Sequence, residues 1–258
     1  MANSKSGESV IQRVVRILST FSEESPSFSL RQLAREVELP LTTVHRMVSD
    51  LEAEGLVEWD AEGRLRHGYR MWELASRGSR AADLREAALT PMKELLGVVG
   101  HHVQLAVLEG NEVLYVERLS APDTFVSLAR IAGRLPVHGC SAGLLFMAYA
   151  PEDVQERFLS RRLEKITEHT VTAPPALRRV LAEARKVGFI SMEGIIDEAS
   201  SGISVPIFDA KSRVVAVLSA ITPVREERLA VVVPHLKFTA RAITVRLGFG
   251  EVETTSSS

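Results

Sequence analysis

Two amphipathic stripes in this chain are separated by almost nothing. Leu30, Leu33, Ala34 and Val37 recur at helical spacing, as do Val44, Met47, Val48 and Leu51, with only Glu38-Leu39-Pro40-Leu41-Thr42-Thr43 between the two sets. Two short helices joined so tightly can share one core only by crossing at a steep angle. Ser29 with Gln32 makes a capping box at the head of the first helix, and Pro40 suits the first turn of the second. Upstream, Ser9 with Gln12 repeats the capping signature, and Ile11, Val14, Val15 and Leu18 form the expected buried stripe of a helix running to about Phe21. After Gly55, Leu56 to Trp59 and Arg64 to His67 flank the polar turn Asp60-Ala61-Glu62-Gly63. This predicts a small hairpin with Arg64 and Arg66 on one face.

From about Tyr69 to Leu96 the pattern is helical again, with expected interruptions at Gly78 and Pro91. The remainder is mixed. Strands are expected at Val103 to Leu108, Val113 to Arg118, Phe125 to Ala129, Gly202 to Phe208 and Val214 to Ile221. Helices are expected at Gly143 to Ala150, Pro151 to Phe158, Pro175 to Val187 and Glu226 to Leu247. That order implies a sheet with helices on its faces, and so a two-domain α+β protein. The expected divisions are a disordered start at 1–8, a first domain at 9–70, a linker helix at 71–88, a second domain at 89–248 and a disordered tail at 249–258.

The polar side of the second close-set helix points to double-stranded DNA. In a helix-turn-helix the first helix braces on phosphates and the second enters the major groove, so the second must carry short polar groups outward. Opposite Val44 and Val48 lie Thr42, Thr43, His45, Arg46, Ser49 and Asp50. Small Thr and Ser side chains allow close approach, and Arg46 reaches a guanine edge or a phosphate. Arg31 on the preceding helix is a further DNA-contact candidate. The hairpin then resembles a wing, with Arg64 and Arg66 toward the DNA backbone or minor groove. The plainer alternative is a small helical domain whose arginines are merely solvated. Net charge sets a limit: it is -2 overall, and up to residue 80 eleven basic residues face twelve acidic ones, so any nucleic-acid contact must be local.

The segments Leu30-Arg31-Gln32-Leu33-Ala34-Arg35-Glu36, Leu39-Pro40, Thr42-Thr43-Val44-His45-Arg46 and Glu54-Gly55-Leu56-Val57 resemble the IclR family of bacterial transcriptional regulators. Further on, Gly133-Arg134-Leu135-Pro136-Val137-His138 with Ala142-Gly143, then Gly188-Phe189, Val205 to Asp209 and Ser219 to Pro223, are also similar to that family. The resemblance covers roughly residues 9–248. It implies a winged helix-turn-helix, a linker helix and a GAF-like effector domain with a mixed or antiparallel sheet, assembled as a homodimer or homotetramer on a pseudo-palindromic operator.

The resemblance also implies effector-binding positions. Ser141 and Ala142 match loop positions whose backbone amides hold a ligand carboxylate, Ser219 matches a pocket serine, and His138 belongs to the loop that opens the pocket. Three positions depart from the family pattern: Met192 stands where an aspartate can occur, Gly202 where a cysteine is common, and Ile221 where a second serine can occur. A less polar pocket follows, suited to a bulkier, partly apolar carboxylate or ester rather than a very small acid. Glu38 replaces a common glycine in the inter-helix turn, and Leu65 and His67 replace the usual wing Tyr and Leu.

Gly139-Cys140-Ser141-Ala142-Gly143 also matches G-x-S-x-G, the nucleophile elbow of serine hydrolases. An elbow needs a buried strand before the serine, and Arg134 to His138 is short and broken by proline, so a glycine-rich loop at a helix N-terminus is the expected reading. His138 with Cys140, and His101-His102, lack the paired spacing of a zinc site. No nucleotide fingerprint, metal or cofactor is expected. The single cysteine forms no internal bridge. Val214 to Ala220 and Leu229 to Val233, the longest apolar runs, are far too short to span a bilayer, and MANSKSGES has no apolar signal segment, so no membrane partner and a cytoplasmic location are expected. Besides a regulator that is not an enzyme, an esterase using Ser141 and a ligand-binding module without a DNA target stay open at this point.

Overall fold

The computed structural model describes residues 7–22, 24–122, 124, 131, 133–224 and 228–249. The chain divides into two compact units between Ser79 and Arg80. In the first, α1 (Val10–Ser19), α2 (Leu30–Glu36) and α3 (Leu41–Ala53) precede the antiparallel hairpin β1 (Val57–Trp59) and β2 (Leu65–His67), and α4 (Tyr69–Ser76) follows. Both capping boxes form, each serine accepting from the glutamine amide three residues on while the glutamine side chain accepts from the serine amide. The core gathers Ile17, Leu33, Val37, Val44, Met47, Leu51, Val57 and Leu65. Thus α2 and α3 bury the stripes their spacing demands.

The α1 stripe is a correction. Ile17 is the buried residue, with Val14 and Leu18 packed at the core's edge, whereas Ile11 and Val15 are 74% and 56% exposed. The helix is apolar on two sides. Val14, Ile17, Leu18 and Phe21 share helical spacing as well as the expected set does, and this second stripe is continuous with the Phe21–Phe28 edge-on aromatic pair. The α2–α3 turn places Glu38 at φ 50°, the left-handed region that L side chains adopt at a cost.

The second unit starts with α5 (Arg80–Val99) and holds β3 (His102–Glu109), β4 (Glu112–Ser120), β5 (Arg134–Pro136), α6 (Ser141–Tyr149), α7 (Glu152–Leu159), α8 (Pro174–Val187), β6 (Ile190–Glu193), β7 (Ser200–Phe208), β8 (Val214–Pro223) and α9 (Leu229–Arg246). Among the described residues the strands form one sheet in the order β5-β4-β3-β8-β7-β6, every pairing antiparallel. Period-two alternation sorts its two faces. Val103, Leu105, Ile203, Val205 and Leu218 pack on α5 and α9. Tyr115 and Val217 meet Leu144 and Leu145 of α6 and Leu177 and Leu181 of α8 on the other face. Nearly all of α6 is buried, as expected of a helix apolar all round. Gly143 is required there: a Cβ would lie 2.2 Å from the Val137 carbonyl oxygen, so only glycine lets α6 start against the 3-10 turn Val137–Gly139.

The segment 71–88 is not one linker helix. It comprises most of α4, a break at Arg77–Ser79 with Gly78 at positive φ, and the start of α5. Pro91 does not interrupt α5, whose buried Ala88, Met92 and Leu95 anchor the helix on both sides of the lost hydrogen bond. The two strands not expected, β5 and β6, are the sheet's edges, where short length and a proline are tolerated. The expected strand Phe125 to Ala129 lies outside the described residues, as do the first residues of the helix expected from Glu226. Most of the two terminal segments expected to be disordered lies outside as well. Within them, Glu8 pairs with Arg16 at 2.9 Å and the Phe249 amide donates to Thr244 O at 3.1 Å. Among the described residues no helix is long and apolar enough to cross a membrane.

Candidate nucleic-acid interface and ligand cavity

In the first unit, α3 turns Val44, Met47, Val48 and Leu51 into the core and leaves Thr42, His45, Arg46 and Ser49 exposed, with Thr43 half-buried. Thr42, His45, Arg46 and Ser49 make no side-chain hydrogen bond or ion pair among the described residues, so the outer face of α3 is free to meet another surface. Arg31 is also exposed. Together with Arg35 it flanks a hollow lined by Ala34, Leu39 and Leu41 at the N-terminal end of α3, where unpaired helix amides and two guanidinium groups suit a phosphate.

The wing arginines behave differently from one another. Arg66 is exposed and pairs across the hairpin with Glu58 at 2.6 Å. Arg64 is half-buried and turned inward, donating from Nε to Ser27 Oγ at 2.8 Å and from Nη2 to the Ser27 carbonyl at 2.6 Å. The shared face expected for Arg64 and Arg66 is therefore split in function: one arginine ties the wing to the loop before α2, the other remains at the surface. His67 Nε2 lies 2.9 Å from the Leu18 carbonyl at the end of α1, and its ring packs on Phe21, so this departure from the usual wing also serves the fold.

In the second unit, a cavity of about 40 Å3 lies between α6 and the sheet, lined by Gln104, Tyr115, Leu135, Cys140, Ser141, Met192, Ile195, Ile196, Ser200, Gly202 and Ile221. Strand register builds its floor. Ile221, Gly202 and Met192 are cross-strand neighbours in one row, and Gln104 stands in the next beside Ser219 and Ser204, which do not themselves line the cavity. The amides of Ser141 and Ala142 at the head of α6 have no helical acceptor, as at any helix start, and the helix dipole favours an anion there. Among the described residues no charged side chain lines the cavity. Burial, first of all, holds the Tyr115 hydroxyl well above its ordinary pKa, with Cys140 adding to the effect. Burial likewise pushes the Cys140 thiol up to about 11 against the opposing Gly143 amide and Tyr115 hydroxyl. Both groups stay protonated near neutral pH, so the cavity offers neutral donors and apolar walls.

Of the expected effector positions, Ser141, Met192, Gly202 and Ile221 line this cavity. Ser219 lies one hydroxyl behind it, Ala142 is buried in α6, and His138 is a correction. The His138 ring points the other way, its Nε2 2.9 Å from the Glu164 carbonyl, into a separate hollow with Leu108, Asn111 and Arg157. Sequence reasoning missed Gln104, Tyr115 and the Ile195–Ile196 loop. Gln104 left a signal, a polar residue inside the apolar run Val103 to Leu108. Ser141 sits in the first helical turn, and its side-chain partner among the described residues is Ser204 Oγ at 2.8 Å rather than an imidazole, so the arrangement is not that of an activated nucleophile. Among the described residues no group of three His, Cys, Asp or Glu is placed to hold a metal.

Residues 10–61 match the model of the IclR helix-turn-helix domain, and residues 79–245 match that of the bacterial transcriptional regulator IclR C-terminal domain. The crystal structure of an IclR homolog from Microbacterium hydrocarbonoxydans complexed with 4-hydroxybenzoate is 41% identical, with a TM-score of 0.88 over 94% of this chain and 100% of that one. A second IclR homolog, from Microbacterium sp. strain HM58-2, is 40% identical with a TM-score of 0.62 over 94% of this chain and 99% of that one. The HTH-type transcriptional regulator KipR of Bacillus subtilis is 28% identical over 87% of this chain and 91% of its own length.

Proposed function

This chain belongs to the IclR family of bacterial transcriptional regulators, and from that premise we propose that it binds a pseudo-palindromic operator as a dimer or dimer of dimers under the control of a small aromatic carboxylate. It is a DNA-binding regulator with a ligand-binding C-terminal domain, not an enzyme. The observation that carries the operator reading is the free outer face of α3. In this reading Thr42, Thr43, His45, Arg46 and Ser49 enter the major groove, Arg31 and Arg66 meet phosphates, and Arg64 keeps the wing in place. The DNA-binding role falls to residues 9–70 and the effector role to 89–248, and a cytoplasmic location suits both.

A second copy is supported by apolar surface in the first unit. Val10, Ile11 and Val15 of α1 and Tyr69 and Trp72 of α4 are all more than half exposed. A monomer gains nothing by displaying so many large apolar side chains, whereas a two-fold partner would bury them.

The effector reading rests on the cavity's chemistry. A carboxylate takes the Ser141 and Ala142 amides, and an aromatic ring takes the Met192, Ile195 and Ile221 walls, as the 4-hydroxybenzoate held by the 41% identical Microbacterium protein suggests. At about 40 Å3 the cavity holds little more than water, so ligand entry requires the lining to shift. That shift is a two-state element through which a ligand alters DNA affinity. A coupling of about 1–3 kcal/mol changes affinity roughly 5- to 150-fold. Footprinting of the purified protein on its own upstream DNA, with and without 4-hydroxybenzoate, tests this. A protected inverted repeat whose occupancy responds to the acid is expected. No footprint, or one indifferent to aromatic acids, would count against the operator or the effector part respectively.

A further inference from the structure

Three serine hydroxyls lie in series beneath the cavity. Ser141 Oγ is 2.8 Å from Ser204 Oγ, and Ser204 Oγ is 2.7 Å from Ser219 Oγ. All three residues are buried, and only Ser141 lines the cavity. Each hydroxyl has one proton to donate, so the series has two self-consistent directions. Donation from Ser141 through Ser204 to Ser219 leaves the Ser141 lone pairs facing the cavity. Donation from Ser219 through Ser204 to Ser141 leaves the Ser141 proton for a ligand. The two differ only by rotation of O–H bonds.

Backbone geometry holds Ser141 in place. A Cβ at Gly202 would lie 2.6 Å from Ser141 Oγ and 3.4 Å from its Cβ, so the bare backbone of β7 leaves a notch that the Ser141 hydroxyl occupies. Strand register puts Ser204 beside Ser219 and the floor residue Gln104 beside Ser219 in turn. Among the described residues no charged side chain lines the cavity, so hydroxyls, helix amides and the Gln104 carboxamide are the groups available to answer an anionic ligand.

We infer that Ser204, backed by Ser219, is a positioning residue that fixes the Ser141 hydroxyl and turns it into a proton donor toward a carboxylate, making the site selective for the ionised acid over its neutral isostere. The inference rests on the reading that this cavity takes an aromatic carboxylate. A hydrogen bond to an ionised acceptor is about twice as strong as a neutral one, and a chain of hydroxyls donating in one direction polarises it further. Loss of Ser204 therefore costs the acid more than the amide.

The test is calorimetric titration of the full-length protein with 4-hydroxybenzoate and 4-hydroxybenzamide, for the unmodified protein, Ser204→Ala, Ser141→Ala and the double variant, with circular dichroism melts to verify folding. Ser204→Ala should weaken benzoate by roughly tenfold and benzamide by less than about threefold. The double variant should bind benzoate no worse than Ser141→Ala alone, because Ser204 acts through Ser141. Ser219→Ala, one hydroxyl further from Ser141 than Ser204, should shift benzoate in the same direction by less, and it supplies the comparison should Ser204→Ala fail to fold. Equal losses for acid and amide, or additive losses in the double variant, would overturn the relay while leaving the aromatic-acid reading intact. An unmodified protein that binds neither compound would overturn both.

Discussion

At the scale of single residues, the informative positions are those where the side chain and its backbone or partner disagree with the simplest expectation. Glu38 occupies left-handed backbone that glycine adopts without penalty. Glu38→Gly should therefore stabilise the first unit by up to about 1 kcal/mol, the strain relieved being partly offset by the greater freedom of an unfolded glycine, and a denaturant midpoint checks it. Arg46 is exposed and makes no polar contact of its own among the described residues, so Arg46→Ala should leave the melting temperature unchanged. Its operator affinity should fall by about 1–3 kcal/mol, with relaxed discrimination at one base position, which a titration against single-base operator variants reads. Asp209 shows the opposite pattern, a carboxylate buried in its turn and fully engaged. Its Oδ1 accepts from the Arg213 and Lys211 amides, and Oδ2 accepts from the Arg213 guanidinium. Those bonds, the Arg213 amide foremost, hold its pKa below the ordinary carboxylate value. Stability from a depressed acid is present above the unfolded pKa and fades as pH falls through the folded one. Asp209→Asn should accordingly lower the thermal midpoint at pH 7 and lose that deficit toward pH 3.

At the scale of elements, helices were more legible than strands. The α2 and α3 stripes are unambiguous because each helix has one apolar side, and the capping serines mark both starts. For α1 the same kind of pattern misassigned the buried side, since Ile11 and Ile17 are equally apolar and only the neighbours distinguish them. The edge strands β5 and β6 left no alternation long enough to read. The wing was legible as a hairpin, yet not as a braced one, because Ser27 lies thirty-seven residues before Arg64 and no local signal links them. From that brace, Arg64→Ala should destabilise the first unit by about 1 kcal/mol while changing the salt dependence of DNA binding little. Arg66→Ala should instead flatten the salt dependence by about one phosphate contact with little loss of stability, and binding titrations at several salt concentrations separate the two.

At the scale of the whole molecule, the apolar surface on α1 predicts assembly. Ile11→Asp with Val15→Asp should leave the first-unit core intact, since neither side chain belongs to it, but shift sedimentation toward the monomer and weaken operator binding together. A variant that remains fully dimeric would show that α1 does not carry the interface. The ligand cavity is likewise a property of the assembled second unit. Ser141 comes from α6, Gln104 from β3, Met192 from β6, Gly202 from β7 and Ile221 from β8; the antiparallel register gathers the four strand residues, and the packing of α6 on the sheet brings Ser141 to them.

The sequence carried most of the helices, the wing hairpin and the family, because periodic burial, capping chemistry and a steep two-helix junction are properties of short stretches of chain. It also determined that the face of α3 carrying Arg46 is polar. Tertiary structure alone decided which side of α1 is buried, that Arg64 braces while Arg66 does not, that His138 turns away from the cavity, and that Ser204 stands between Ser141 and Ser219. Each of those outcomes depends on groups distant in the chain meeting at hydrogen-bonding or van der Waals distance, and no local pattern encodes such a meeting.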